Sequence, residues 1–540
     1  MATAVPLRIG VVLDDTVVPA WVADLLQDLA AAETLELRPM LLRQSSQRRT
    51  ARSAPGESLY ALYRLVDAQL FASGPDPLEP TSLRDDLAAA AAQLETTDAD
   101  DALDVILLLA SGGDAADLAS RARLGAWTVT CAGARSPDNG LAIFREMSQG
   151  KPSVTVKLLG TFAGEDSPRL IRRAVLPNDA VALGRSFAAV YWKAARLVSR
   201  ELQAWTELGP PAMPEAESVP ASGAPDPRAS APSVAELFLH VLRIASRATR
   251  SRARKALWRE QWFLGYRADR EAGQSGEDFR NLSVIDSPRG HFFADPFPIE
   301  VAGRRYLFFE DYRYAEKKAV ISFVEFEENR EPSSPQVALE RPYHLSYPFV
   351  FKKDGQVFML PETAANATVE LYRAVSFPDQ WERAHVLMSG IEVYDATLLE
   401  HEGRLWLFAT VATKGSLGWD ELSIFWTDSL EGSWRPHPRN PLVVDIRSAR
   451  PAGRIFREGG RLIRPAQDCT RRYGRAIVFN EIQELSETEY RERVLGESRM
   501  ISRAWRTHSY NAADGYVAVD GSRLVPRLPI RRLGSREVEL

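Results

Sequence analysis

The chain has 540 residues, of which 45% are hydrophobic and 26% charged, and its formal net charge is −5. This length exceeds one ordinary hydrophobic core, so two or more domains are expected. The negative charge argues against bulk binding of nucleic acid, and the two cysteines, Cys131 and Cys469, exclude a disulfide framework and a cysteine-based zinc site.

The first residues lead directly into an apolar strand, without the charged start and long apolar core of a signal peptide. No apolar run approaches the about 18 residues that a membrane-spanning helix needs. From these two observations we expect a cytoplasmic protein.

Strands and helices alternate over the first 200 or so residues. Apolar runs predict strands at 7–13, 35–42, 103–110, 127–131 and 154–159, and helical periodicity predicts helices at 19–32 and 180–202. Such alternation is typical of a doubly wound sheet of parallel strands. We therefore predict an α/β, Rossmann-like domain over residues 1–205.

The stretch Arg123-Leu-Gly125-Ala-Trp-Thr128-Val-Thr130-Cys and the order of elements over residues 7–203 resemble the N-terminal domain of formyltransferases that use formyl-tetrahydrofolate. The resemblance implies an Asn and a His where this chain has Thr128 and Thr130. A hydroxyl group cannot replace imidazole as a general acid at neutral pH. The resemblance thus implies a domain without formyl-transfer activity, which binds a ligand, pairs with a partner or serves as a scaffold.

Residues 206–232 are rich in Pro, Ala, Ser and Gly, and we predict that they form a disordered linker and the domain boundary. Residues 233–259 then have helical periodicity, with Leu237, Val241 and Ile244 on one face. Seven basic residues lie at position 243 and beyond: Arg243, Arg247, Arg250, Arg252, Arg254, Lys255 and Arg259. This helix is predicted either to contact an anionic membrane surface or to pack by its apolar side on the domain that follows.

A strand–turn–strand motif recurs five times in the second half of the chain. The opening positions of the five copies are Asp295, Tyr347, Asp395, Arg450 and Asn511. Successive copies are 52, 48, 55 and 61 residues apart, and in the first three a turn glycine follows the opening position by 8 residues. A repeat of about 40 to 50 residues built from short strands is typical of propeller blades. We predict an all-β five-bladed propeller over residues 260–540; the alternative is a β-sandwich of unrelated hairpins.

Closure of the ring can also be predicted. Each blade needs four strands, and the fifth copy leaves room for only two before the chain printed here ends. Two further strands, at 261–266 and 281–285, precede the first copy. We predict that they complete the fifth blade, so that no long strand edge is left open.

The opening positions should converge on one central funnel, because the innermost strands line the axis of a propeller. The ends of the second strands add Glu310, Asp311, Glu362, Gln467 and Asp468. Burying so many charged groups costs free energy, which favours a functional role for them. The alternative is that Asp295 and Asp395 only cap backbone groups. Asp295, Asp311 and Asp395 could supply oxygens to an ion, but no ligand spacing requires one, and we predict no metal site.

The motifs Phe-Ala-Asp295-Pro-Phe, Arg450-Pro-Ala-Gly and Arg464-Pro-Ala-Gln-Asp-Cys469 resemble the propeller domain of glucosamine inositolphosphorylceramide transferases and their bacterial relatives. An Asp-Pro opening of the first blade is also similar to the five-bladed glycoside hydrolases of the arabinanase and β-xylosidase type. The hydrolase resemblance implies a general base at Asp295, a second, pKa-tuning Asp at Asp395 and a Glu general acid at the start of blade four. The separate glycosyltransferase domain of the plant transferases is not evident in this chain.

Arg450 occupies the position of the expected acid. A guanidinium cannot donate a proton to a leaving group, because its pKa exceeds about 12. It does suit a leaving group that is already anionic, such as the diphosphate of a nucleotide sugar. Asp295 would then deprotonate the acceptor hydroxyl, and Glu362 or Glu481 would supply an acid if either reached the funnel.

Our first hypothesis is glycosyl transfer from a nucleotide sugar, as co-substrate, to a hydroxyl acceptor in surface glycan or glycolipid synthesis. Its predicted catalytic residues are Asp295, Asp395 and Glu362. Its predicted substrate-binding residues are Arg450, Arg464, Asp311, Tyr347, Asn511, His508 and Asp468. The alternatives are an inverting glycoside hydrolase with a relocated acid, and a non-catalytic glycan-binding module in which Trp406, Tyr312 and Tyr347 stack on sugar rings. The expected partner is a carbohydrate or glycolipid and not a nucleic acid.

Overall fold

The computed structural model describes residues 6–41, 55–71, 74–93, 103–135, 140–165, 167–209, 231–268, 274–275, 279, 281–326, 331–413, 416–497 and 506–527. They form two compact units. The first comprises residues 1–244, 413–417 and 444–446, and the second comprises 245–412, 418–443 and 447–540. No helix in the described ranges is both long enough and apolar enough to cross a membrane.

The elements of the first unit, and the helix that follows it, alternate along the chain. They are β1 (Leu7–Leu13), β2 (Val17–Pro19), α1 (Ala20–Ala30), β3 (Leu35–Leu41), α2 (Pro55–Phe71), β4 (Pro80–Ser82), α3 (Asp85–Gln93), β5 (Val105–Leu108), α4 (Ala115–Ala119), β6 (Ala126–Cys131), β7 (Ala134–Arg135), α5 (Leu141–Ser148), β8 (Ser153–Thr161), β9 (Arg169–Pro177), α6 (Leu183–Leu208) and α7 (Val234–Leu257). Of the predicted linker, residues 210–230 lie outside the described residues, and residues 206–208 belong to α6.

The main sheet of the first unit is mixed rather than wholly parallel. Its strand order is β3-β1-β5-β6-β8-β9, with β7 paired to β6. The first four strands are parallel, as expected, but β8 is antiparallel to both β6 and β9. The connection between β8 and β9 is too short for the crossover that parallel strands need, so the two form a hairpin. Thr128 and Thr130 lie on β6, and the formyltransferase resemblance stays a prediction.

The second unit consists almost entirely of strands. They are β10 (Trp258–Ala268), β11 (Ser283–Asp286), β12 (His291–Val301), β13 (Arg304–Arg313), β14 (Lys318–Phe326), β15 (Gln336–Leu339), β16 (Ser346–Lys353), β17 (Gln356–Glu362), β18 (Thr368–Ser376), β19 (Gln380–Ser389), β20 (Val393–His401), β21 (Arg404–Val411), β22 (Glu421–Thr427), β23 (Arg435–Pro436), β24 (Val443–Val444), β25 (Phe456–Glu458), β26 (Arg461–Asp468), β27 (Ala476–Leu485), β28 (Tyr490–Glu497), β29 (Tyr510–Ala513) and β30 (Tyr516–Pro526). A single 3-10 turn, Ala364–Asn366, is described among them.

These strands form the five blades of the predicted propeller. Four blades follow chain order, β12 to β15, β16 to β19, β20 to β23 with β24 paired to β22, and β25 to β28. The fifth has the order β11-β10-β30-β29, so the strands that precede the first copy of the repeat complete the last blade. The predicted closure is thus confirmed, and β10 pairs with β30 from Trp258 to Ala268.

Each inner hairpin is closed by a two-residue turn. The two central residues have positive φ in all five blades, at Ala302-Gly303, Asp354-Gly355, Glu402-Gly403, Gly459-Gly460 and Asp514-Gly515. This combination is the type I′ turn, whose twist matches that of the strands it joins. The second strands, such as Tyr306–Phe309 and Leu405–Phe408, are buried on both faces, because each blade packs between two others.

Candidate functional site

The opening positions of the first three copies lie at β-bulges of the inner strands. Strand pairing shifts by one residue there, and Asp295, Tyr347 and Asp395 have φ angles of 51°, 43° and 52°. Left-handed backbone is uncommon for residues other than glycine, and a bulge re-aims the side chain that it carries. All three residues are buried. The repeat spacing therefore identified positions that share a local backbone conformation.

Each second strand adds one polar residue at a matching register. Glu310, Glu362 and Thr410 pair with the residues that precede the three bulges. In blades four and five, the N–H groups of Gln467 and Asp520 donate to the carbonyls of Arg450 and Ser509. The five matching positions are Glu310, Glu362, Thr410, Gln467 and Asp520.

Because of this register, Glu310 replaces Asp311 among the predicted site residues, and Asp520 joins them. Side chains alternate between the two faces of a strand, so Glu310 and Asp311 cannot point the same way. The structure brings Glu310, rather than the predicted Asp311, close to the other carboxyl groups. Asp520 was missed altogether, and the repeat does not point to it, because it follows its turn glycine by 5 residues whereas Glu310 and Glu362 follow theirs by 7.

Arg450 forms an ion pair with Asp395. Its Nε donates to Asp395 Oδ2 at 2.6 Å, and its Nη1 donates to the carbonyl of Gly418 at 2.7 Å. Gln467 Nε2 donates to the same Asp395 oxygen at 2.8 Å. The guanidinium is buried and its charge is balanced by Asp395. The guanidinium that was predicted to receive a diphosphate is thus already paired inside the protein, and its role in substrate binding stays a prediction.

A second ion pair joins His508 to Asp520. His508 Nδ1 contacts Asp520 Oδ2, and the N–H groups of His508 and Ser509 donate to Asp520 Oδ1 at 2.8 and 3.1 Å. The other ring nitrogen, Nε2, lies 3.7 Å from Asp295 Oδ1. Burial opposes both charges, but Asp520 and Asp295 raise the pKa of His508 to about 9, and His508 with these hydrogen bonds holds the pKa of Asp520 below its ordinary value.

We call Asp295, Glu310, Glu362, Asp395, Asp520, Arg450 and His508 the axial cluster. Among its members are five carboxyl groups and two cations, so the cluster cannot hold every carboxyl ionised in a buried setting. Two carboxylates are taken by the ion pairs. Burial and neighbouring carboxylates raise the pKa of Glu362 to about 8 and that of Glu310 well above its usual range.

Asp295 is the carboxyl group that titrates near neutrality. Its burial raises the pKa to about 7, with Asp395 and Asp520 acting in the same direction and His508 and Arg450 opposing them. Its Oδ2 accepts a hydrogen bond from the N–H of Tyr347 at 3.3 Å, and its own N–H donates to Asp520 at 3.1 Å. Glu362 is held nearby, because its Oε2 accepts from the N–H of Asp395 at 3.1 Å.

Three predicted substrate-binding residues are engaged elsewhere. Arg464 is paired with Glu492 through two hydrogen bonds of 2.8 and 2.7 Å and also donates to the carbonyl of Ser448. Asp311 contacts the ring of His291 at 2.6 Å. Asp468 accepts from the backbone and hydroxyl of Thr470 and pairs with Arg475. These side chains stabilise strands and loops of their own blades, and their assignment to the substrate stays a prediction that these contacts do not support.

Two further predicted substrate-binding residues, Tyr347 and Asn511, form hydrogen bonds between blades. The hydroxyl of Tyr347 is hydrogen-bonded to Thr397 at 2.7 Å. Asn511 donates to the carbonyl of Pro296 at 3.0 Å and accepts from the N–H of Arg454 at 2.7 Å. Trp406 is likewise buried, against Trp426. Neither Tyr347 nor Trp406 can stack on a sugar from these positions; Tyr312, which is half-buried and stacked on Phe292, still could.

Glu481, the other acid considered, pairs with Arg493 on the outer strands of blade four, at 2.6 Å. Within the described residues, Asp295, His508 and Asp520 offer ligand atoms that lie within 4.8 Å of one another. The pKa of about 9 favours the protonated ring of His508, which has no lone pair for a metal ion. A metal ion held by these three residues would have to displace that proton from the ring of His508.

Residues 282–520 match the family model described as glucosamine inositolphosphorylceramide transferase 1, N-terminal. The protein of that name from Oryza sativa subsp. japonica is 33% identical over 250 residues, which are 43% of this chain and 34% of the relative. The protein of that name from Arabidopsis thaliana is 36% identical over 206 residues, 37% of this chain and 27% of the relative. The chain thus spans about a third of the length of these relatives.

The solved structures to which this chain is similar have much lower sequence identity. A GH43_1 enzyme from Xanthomonas citri complexed with xylose is 10% identical, with a TM-score of 0.34 over 44% of this chain and 87% of the enzyme. An exo-1,5-alpha-L-arabinanase from a bovine ruminal metagenomic library is 15% identical, with a TM-score of 0.32 over 45% of this chain and 95% of the arabinanase. By sequence, the propeller region of this chain matches the N-terminal region of the glucosamine inositolphosphorylceramide transferase 1 family.

Proposed function

We propose that the axial cluster catalyses glycosyl transfer to a hydroxyl group of a carbohydrate or glycolipid acceptor. One observation carries the proposal: five carboxyl groups, of which four are buried and Glu362 is 10% exposed, share two cations, which leaves Asp295 with a pKa of about 7 and Glu362 with a pKa of about 8. A base and an acid that change protonation near neutral pH are what sugar transfer between oxygen atoms requires. The transferases that match the propeller bear glucosamine and inositolphosphorylceramide in their name, which supports a sugar donor and a glycolipid acceptor.

In this mechanism Asp295 removes the proton of the acceptor hydroxyl as that oxygen attacks the sugar carbon. Protonated Glu362 gives its proton to the departing oxygen, which in a nucleotide sugar is the diphosphate oxygen bonded to the sugar carbon. Asp395 and Arg450 do not exchange protons; Arg450 positions Asp395, whose N–H in turn holds Glu362. A nucleotide sugar remains the proposed donor, although its diphosphate has to be bound by groups other than Arg450.

A second candidate is an inverting glycoside hydrolase, in which water replaces the acceptor hydroxyl. The specific observation in its favour is Glu362, because a carboxyl group with a pKa of about 8 supplies the acid that Arg450 cannot. The two candidates share the base and the acid and differ in the acceptor.

Both are tested with one set of assays. Purified protein is incubated with nucleotide sugars and an inositol phospholipid acceptor, and nucleoside diphosphate release is measured; aryl glycosides are incubated separately and phenol release is measured. We expect Asp295→Asn to lower either activity by at least about a hundredfold, because it removes the base. Asp311→Asn is the matched control, since this carboxylate of the same blade contacts His291, and it should retain turnover. Undiminished turnover of Asp295→Asn would remove Asp295 from the mechanism.

We further propose that the protein is cytoplasmic and contacts an anionic membrane surface through α7. The predicted apolar face is only partly correct, because Leu237 is buried whereas Val241 is 46% exposed and Phe238 is 63% exposed. Exposed apolar side chains followed by arginines are typical of helices that lie in a membrane interface. Flotation with anionic vesicles should decrease for Phe238→Ser and stay unchanged for Val337→Ser, which removes another exposed apolar side chain, on β15. Equal flotation of both variants would contradict the proposal.

A further inference from the structure

A concave pocket of about 400 Å³ lies where α7 ends and β10 begins, within the second unit. Helix and strand join without a loop, since α7 ends at Leu257 and β10 starts at Trp258. Arg527 fixes this junction. Its side-chain Nε donates to the carbonyls of Lys255 at 2.8 Å and Trp258 at 3.3 Å. Its backbone N–H donates to the carbonyl of Leu257 at 2.9 Å. The pocket is therefore built on ordered backbone.

The lining of the pocket is strongly basic. Of the nine described residues that line it, one is acidic, Glu260, and five are cationic: Arg254, Lys255, Arg259, Arg506 and Arg527. Glu260 is already satisfied inside the protein, since it lies 3.0 Å from Arg506 Nε and accepts from the hydroxyl of Ser522 at 2.6 Å. Since Glu260 is the one acidic residue among the nine, the lining as a whole carries an excess of positive charge.

The charge of the pocket also acts on a neighbouring side chain. Burial, together with the positive charges of Arg506 and Arg254, lowers the pKa of Arg472 to about 10. Two exposed aromatic rings, Trp258 and Tyr314, complete the rim. None of the lining residues belongs to the axial cluster, so this is a separate site.

We propose that this pocket binds a phosphate group, carried either by a lipid headgroup or by a soluble phosphate compound. Arginine and lysine side chains that converge on a concavity provide charge-assisted hydrogen bonds to phosphate oxygens, and the pocket has room for a phosphate with part of the group attached to it. The exposed rings of Trp258 and Tyr314 offer contact to that attached group. The inference does not rest on the proposed sugar transfer.

The test compares two double variants of the full chain. Lys255→Ala/Arg259→Ala removes two cations of the pocket. Arg491→Ala/Arg493→Ala removes two exposed arginines of β28 that do not line the pocket, with the same change in net charge. Neither variant changes Arg506, which pairs with Glu260, or Arg527, which donates to a backbone carbonyl at the end of α7. Binding of inorganic pyrophosphate is measured by calorimetry, and flotation is measured with phosphatidylcholine vesicles with and without phosphatidylglycerol.

We expect the pocket variant to weaken binding by about tenfold or more, and the control variant to change it less than about threefold. Loss of pyrophosphate binding in the pocket variant would identify a soluble phosphate as ligand. Loss of flotation on phosphatidylglycerol vesicles alone would identify a headgroup. Equal weakening in both variants, which signals diffuse attraction between charges, would overturn the proposal. So would a wild-type chain that binds neither probe.

Discussion

At the scale of single residues, the site is organised by charge sharing among buried groups. Asp395 with Arg450 and Asp520 with His508 use the two cations of the axial cluster. The carboxyl groups that remain are then held in their neutral form, or near the point where they lose a proton, because a buried carboxylate without a cation is unfavourable. Asp295 and Glu362 thus acquire acid–base properties near neutral pH from residues in other blades.

Removing the cation of the first pair should be severe. Arg450→Met leaves Asp395 buried without its partner, and we expect the free energy of unfolding to fall by about 3–5 kcal/mol in urea denaturation. Adding Asp395→Asn should restore part of this loss. The control is Arg493→Met, whose partner is Glu481 at an exposed site, and which should cost no more than about 1 kcal/mol. Equal losses in the two single variants would show that the Asp395–Arg450 pair is not the buried constraint described here.

The two shifted carboxyl groups predict the pH dependence of turnover. Asp295 must be ionised to act as a base, so kcat/KM should rise with pH through about 7. Glu362 must be protonated to act as an acid, so kcat/KM should fall as pH rises through about 8. The profile should therefore be a narrow bell, and Glu362→Gln should remove its alkaline limb from whatever activity remains. A flat profile between pH 6 and 9 is incompatible with these roles.

At the scale of elements, the inner hairpins set where the cluster lies. Each bulge turns one side chain out of the regular alternation, and each type I′ turn fixes the register of the second strand against the first. Blade four differs in the segment before its inner strand, where Gly453 has a φ of 136° and sits against blade five. A Cβ atom at this position would lie 1.9 Å from the carbonyl oxygen of Tyr510.

Substitution at Gly453 should therefore be far more costly than at a turn glycine. We expect Gly453→Ala to lower the free energy of unfolding by at least about 3 kcal/mol, since the methyl group meets backbone that cannot move aside. Gly355→Ala is the matched control: its φ is +74°, and nothing lies within 4 Å of the added carbon. It should cost about 1 kcal/mol for the left-handed backbone alone. Chemical denaturation of both variants measures the difference between their free energies of unfolding. Equal values would show that the backbone around Gly453 is not tightly packed.

At the scale of the whole molecule, the propeller is closed by strands from opposite ends of its own sequence. β10 pairs along the full length of β30, and β11 pairs with β10. This arrangement covers the edge that β30 would otherwise expose. Deleting residues 258–286 should leave that edge unpaired, and we expect the truncated chain to be recovered as aggregate when expressed. Soluble, folded protein, judged by gel filtration and a cooperative thermal transition, would contradict the closure.

Much of this architecture could be predicted because short-range patterns encode it. The glycines of the type I′ turns, the Asp and Tyr residues at the bulges and the apolar second strands recur at regular spacing, and each follows from backbone geometry within a dozen residues. The missing strand pair of the fifth blade followed from a strand count. The predicted positions of Asp295, Asp395 and Glu362 in one cluster were correct for the same reason.

The chemistry of the cluster was decided only by the tertiary structure. Whether Arg450 faces a ligand or Asp395 depends on a contact between residues 55 positions apart, and the choice between Glu310 and Asp311 depends on which face of β13 meets the axis. Asp520 and His508 come from a different blade from Asp295. Local patterns in a sequence set the turns and the registers, whereas the partner of each buried charge, and hence its protonation state, is set by the packing of blades far apart in the chain.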